Sequence, residues 1–104
     1  MVNPHQGEVA LVIDGAPRRM KLTLGALAAL EAALEAESLE ALVARFERGA
    51  FTARDLLRLI EAGLMGGGAE VDRAALEAAE IEGGTVEAAR QCGRMLVLAF
   101  RGAT

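Results

Sequence analysis

The chain has 104 residues, enough to bury one core without disulfides or metal and too few for two domains. Hydrophobic residues make up 53% but aromatics only 3%, with no Trp or Tyr, so the core must be a fine-grained aliphatic one of closely packed helices. The net charge of −4 is interspersed with no basic stripe, which removes the footprint of backbone-driven nucleic-acid binding, and the lone Cys92 excludes an internal disulfide.

No apolar run approaches the ~18 residues of a membrane span. The longest, "MLVLAF" (Met95 to Phe100), is short, and the amino terminus "MVNPHQGEVA" lacks the basic and apolar regions of a signal peptide. These features predict a soluble protein made in the cytoplasm, with no membrane partner. A polar lead over residues 1–7 precedes a single α+β domain over residues 8–104.

In chain order, Val9, Leu11 and Ile13 alternate before Asp14-Gly15, a dipeptide that supplies the positive φ angles of a tight hairpin turn. Placing Ile13 opposite Ala16 sets Val9 against Met20, so the ribbon's apolar side is Val9, Leu11, Ile13, Met20 and Leu22, with Arg19 and Lys21 turned away and Pro17 near an edge. A lone hairpin is marginal in water, so this face needs helices or a partner's sheet against it.

About five short helices follow. Thr23 caps "LGALAALEAALEA", where Leu27, Leu30 and Leu34 recur at helical spacing. Ser38 caps a second helix with Leu39, Leu42, Val43 and Phe46 on one side and Gly49 at its end. Thr52 and Asp55 form an aspartate version of the capping box before Leu56, Leu59, Ile60 and Leu64, and this third helix runs into "GLMGGG". Asp72 caps "RAALEAAEI", with Val71 and Leu76 at staple spacing, and Gly83-Gly84 ends it. Thr85 opens the last helix. There Val86, Ala89, Gly93, Leu96, Val97 and Phe100 share a side, and Met95 and Leu98 extend the apolar surface around its carboxy-terminal half. Such an all-round apolar end is either buried or waiting for a partner.

The chemistry-bearing motifs fail on inspection. Gly63 and Gly68 have P-loop spacing, but Ala69 and Glu70 stand where lysine and a hydroxyl residue belong, and a carboxylate there repels phosphate. Val71 breaks the dinucleotide fingerprint that Gly66 and Gly68 would begin. The glycines therefore read as a helix stop, with residues 66–70 an exposed turn that holds no ligand. His5 sits in the polar lead without companion ligands, and Cys92 has no base near it in sequence, so it reads as a buried small thiol. Glu31/Glu35 and Glu77/Glu80 have the spacing of any solvated helix face. These motifs predict no catalytic residue, no cofactor and no metal, and the chain is read as a non-enzyme. A helix-turn-helix over Thr52 to Glu82 would carry an acidic recognition helix, which leaves a small regulatory nucleic-acid binder as the third alternative, ahead only of an enzyme, and argues against a nucleic-acid partner.

The segments "NPHQGEVALVIDG", "TLGALAALEAALEAESLEALVARFERGAF", "LIEAGLMGGGAEVD" and "EGGTVEAARQCGRMLVLAF", in this order, resemble small tail-morphogenesis proteins of gene transfer agents and related tailed prophages. Members of that family carry the labels phage tail tube protein and tail assembly chaperone. The resemblance runs from Asn3 to Phe100 and implies a non-enzymatic role in virion morphogenesis. It favours a tail assembly chaperone acting in the cytoplasm on the tape-measure protein or tail-tube subunits; the alternative is a structural tail-tube component carried in the particle. Protein–protein interaction is then the task, and a homo-oligomer is left open. The hairpin edge and the apolar side of the last helix are the expected contact surfaces, with Val9, Leu11, Ile13, Met95 and Leu98 as candidate partner-binding residues.

Overall fold

The structure, a computed structural model, describes residues 7–34 and 37–101, with only the backbone of Arg101. The expectations for residues 1–6 (most of the polar lead, His5 among them), for Glu35 and for residues 102–104 lie outside the described residues. Two strands, β1 (Val9–Ile13) and β2 (Ala16–Met20), lead to α1 (Leu24–Ala33), α2 (Leu39–Arg48), α3 (Ala53–Gly66), α4 (Arg73–Ala78) and α5 (Gly84–Arg101).

Asp14 (φ 51°) and Gly15 (φ 79°) make the tight turn, and the antiparallel register pairs Ile13 with Ala16 and Val9 with Met20, as the apolar alternation requires. Val9, Leu11, Ile13, Met20 and Leu22 are buried, while Pro17 and Arg19 are exposed. The helix starts follow their cap residues. Thr23 Oγ1 accepts from Ala26 N at 3.1 Å and Ser38 Oγ from Ala41 N at 3.1 Å. At the start of α3, Thr52 Oγ1 accepts from Asp55 N at 3.1 Å and the Asp55 carboxylate accepts from Thr52 N at 2.9 Å, a reciprocal capping box. Gly49, at φ 70°, ends α2.

α3 is the hub, touching α1, β2, α4 and α5, while α5 also covers β1 and meets α2. Leu11, Met20, Leu30, Leu42, Leu59, Cys92 and Met95 are the most deeply buried side chains, so every element contributes to the core except α4, which has no buried residue. The radius of gyration, 12.8 Å, is that of a single domain of about 100 residues, for which ~13 Å is usual.

Two expectations are corrected. The fourth helix does not run to Ile81. It stops at Ala78, Ala79 turns extended (ψ 152°), and residues 80–82 cross the outer edge of β1 instead. Asp14 N donates to Glu80 O at 2.8 Å, Glu82 N to Val12 O at 3.0 Å, and Ile13 bridges Ile81. Edge groups of β1 need partners, and supplying them outweighs two more helical bonds in a chain whose helix propensity continues past Ala78. The second correction concerns α5. Its core side is Ala88, Cys92, Met95 and Leu96, whereas Val86, Val97 and Phe100, grouped on the apolar side by periodicity, are 73%, 49% and 47% exposed. α5 carries two apolar arcs, and the one with small residues, Ala88 and Cys92, is the one that can lie close against the fold.

Candidate partner-binding surface

Of the five residues expected to meet a partner, Val9, Leu11, Ile13 and Met95 are core side chains and Leu98 is half-buried against the core. The ribbon edges are also occupied. Residues 80–82 take the outer edge of β1 near the turn, and the end of α3 takes that of β2, where Lys21 N donates to Gly63 O at 2.9 Å. Here the glycine run has its explanation. A Cβ on Gly66 would fall 1.8 Å from Lys21 O, and one on Gly67 2.4 Å from Arg19 O, so only glycine lets the helix end lie against the strand. The helix then stops in a six-residue wrap: Gly68 N donates to Met65 O and Ala69 N to Leu64 O, both at 3.0 Å, with Gly68 at φ 95°. The turn is as expected, but its exposure is partial, since Gly66 and Gly67 are half-buried on β2.

Accessible apolar surface is found between α2 and α5. A groove of about 250 Å³ opens between α2 and α5, lined chiefly by Val43 and Phe46 on one wall and Leu96, Val97 and Phe100 on the other. Gly93 is part of it, and a Cβ built there meets nothing within 4 Å. Phe46 stacks on Phe51 with ring centroids 4.8 Å apart, which fixes the ring at the groove wall.

Beside the packing of Leu42 in the core, one arginine ties α2, a wall of the groove, to α3. Arg45 Nε donates to Asp55 Oδ2 at 3.0 Å and Nη2 to Asp55 Oδ1 at 2.9 Å, a bidentate pair, while Nη1 donates to Glu37 Oε2 at 2.8 Å. This ties α2 to the first turn of α3. Burial pushes the Asp55 carboxyl up, but the hydrogen bonds from Arg45 and Thr52, with the attraction of the guanidinium, outweigh it and hold the group below its ordinary value. The Asp55 hydrogen bond, then that of Glu37, holds Arg45 more firmly protonated than usual. The capping role of Asp55 is legible in the sequence, but its pairing with Arg45 is not, because a contact between helices leaves no spacing signal.

Cys92 is fully buried, and burial pushes its thiol up to about 12, so it stays protonated and unreactive at neutral pH. Among the described residues no group of three or more His, Cys, Asp or Glu is placed to hold a metal ion, and no helix is long and apolar enough to cross a membrane.

The family described as "Phage tail tube protein, GTA-gp10" matches residues 6–102, nearly the whole chain. The chain belongs to this family. Membership of the GTA-gp10 family gives it a role connected with the tail of a phage or gene transfer agent, in a family of structural phage tail proteins and not of enzymes. No curated protein and no solved structure matches the chain. The resemblance drawn from the order of the sequence segments and the family match agree.

Proposed function

We propose that the chain is a non-enzymatic component of the tail of a phage-like particle, a subunit that works through contacts with other tail proteins. The observation that carries this reading is the family match over residues 6–102, whose description is that of a tail tube protein. On this reading the protein resides in the particle tail and its partners are tail-tube subunits, with the α2/α5 groove as the accessible apolar contact surface.

A second reading, a tail assembly chaperone that holds the tape-measure protein or tail-tube subunits before they assemble, is favoured by one feature of the fold. Among the described residues the sheet has two strands, and both outer edges are at least partly occupied from within the chain, by residues 80–82 and by the end of α3. A tube wall made by joining sheets would need more strands and freer edges. Contacts through Val9, Leu11 or Ile13 would require the ribbon to leave its own helices, so a chaperone would act through α5 and the groove. Quantitative mass spectrometry of purified particles separates the two. A tail component is expected in many copies per particle. A chaperone is expected only in traces, while a strain lacking the gene makes no normal tails. If that strain assembles intact tails, both readings fall.

A further inference from the structure

We propose that the α2/α5 groove is a seat for one amphipathic helix of a partner protein, a helix with an apolar stripe, acidic residues along one flank and basic residues along the other. The proposal rests on the reading that the chain works by binding other tail proteins, and it names the kind of segment bound.

The first support is periodicity. Three of the five large hydrophobic side chains exposed among the described residues lie on α5: Val86, Val97 and Phe100. With Arg90 and Gly93 they fall at alternating steps of four and three, the seam along which one helix receives another. From Val86 to Phe100 the seam is roughly 21 Å long at ~1.5 Å per residue, four turns of a partner helix. The second is room. Gly93 stands at the middle of this seam with open space where its Cβ would be, and beside it the groove wall continues onto Val43 and Phe46. A glycine inside a helix weakens it unless close approach is needed, and among the described residues nothing lies within 4 Å of where a Gly93 Cβ would stand.

Charge identifies the occupant. Arg90 and Arg94, both exposed, follow the α5 seam, Arg90 lying 3.5 Å from Glu87 of its own helix in an exposed pair and Arg94 donating to Gln91 Oε1 at 3.2 Å, while Glu40 and Glu47 share the helical face of Val43 on α2. The two banks of the groove thus carry opposite signs, and the helix that fits between them has acid beside α5 and base beside α2. A second copy of α5 laid on the seam fits worse, because it brings Arg90 and Arg94 of both copies onto one contact line. An extended strand fits worse still, since the groove is walled by side chains of two helices and presents no strand edge.

The probe is a synthetic helical peptide of about five turns, with leucines at alternating three- and four-residue steps, glutamate on one flank and lysine on the other. Binding to the full chain is followed by fluorescence anisotropy. Wild type is expected to bind in the micromolar range, to bind a peptide with lysine on both flanks at least about tenfold more weakly, and to ignore a scrambled peptide. Gly93→Leu fills the groove and Val97→Asp charges it; each is expected to cost at least about tenfold in affinity while circular dichroism stays native. Arg90→Glu with Arg94→Glu is expected to reverse the preference toward the all-lysine peptide. The proposal is overturned if wild type fails to bind up to about 1 mM. It is also overturned if the scrambled peptide binds equally, if neither Gly93→Leu nor Val97→Asp weakens binding, or if sedimentation finds a dimer that Val97→Asp dissociates. Loss of tails in the deletion strain with no peptide binding would sink the groove and leave the tail role standing.

Discussion

Two seams in this molecule are marked by helical glycines, and they are opposites. Where α3 lies on β2, Gly63 and Gly66 are required by contact: a Cβ on Gly63 would meet Met95 Sδ at 2.7 Å and Met20 Cβ at 2.9 Å, and one on Gly66 would run into a carbonyl oxygen. Where α5 faces α2, Gly93 has open space before it. The first seam is closed by backbone contact and carries the fold. The second is unfilled, and filling it would add contact without disturbing the core, which is why the proposed partner helix is seated there.

The comparison is most severely tested at Gly66. Gly66→Ala is expected to cost about 3 kcal/mol or more, because backbone of β2 and not a flexible side-chain tip stands in the way. Urea unfolding near the wild-type midpoint would break the account of a closed seam. Next comes the arginine that holds the open seam in place. Asp55→Asn leaves Arg45 half-paired and is expected to cost about 2 kcal/mol, with hydrogen exchange rising in α2 more than in α3. The same carboxylate gives a pH signature. Its folded value is lowered, so below its ordinary range of about 4 the unfolded chain binds the proton more readily. Its contribution is complete above that range and is lost as pH falls through the lower folded value. Acid titration of stability should therefore be flatter in Asp55→Asn than in wild type. The smallest effect has the opposite sign: Gly93→Ala is expected to stabilise the chain by about 0.5–1 kcal/mol, a higher melting temperature from a better helix former in open space.

How much of this was legible beforehand follows from the range of the interactions. The hairpin, its register and the caps at Thr23, Ser38, Thr52 and Asp72 are local chemistry within a few residues, and sequence spacing reveals them. The arc of α5 that turns inward is decided by whether Met95 fits over Gly63, a contact between residues 32 positions apart, and two apolar arcs look alike to a periodicity argument. The same limit applies to the residues expected to meet a partner. Met95 lies on the core arc and Val97 on the open one, two residues away in sequence. Residues 80–82 as a cover for β1 were invisible because "AAEI" has high helix propensity and the demand for edge bonds comes from the far end of the chain. The glycine run showed its mismatch with a P-loop at once, but its tight fit to β2 needed the fold.

The cover of β1 has a consequence for synthesis. Asp14 and Glu80, which hold each other through Glu80 N and Asp14 Oδ1 at 2.9 Å, are 66 residues apart. At ~5–20 residues per second a ribosome needs roughly 3–13 seconds to make that interval. Throughout it the finished ribbon waits with the outer edge of β1 uncovered, and that of β2 stays open until Gly66 and Gly67 arrive. The nascent chain is thus most open to strand pairing with its neighbours on a polysome between the completion of Met20 and the arrival of Gly67, and crowding of translating ribosomes is the condition that favours such pairing.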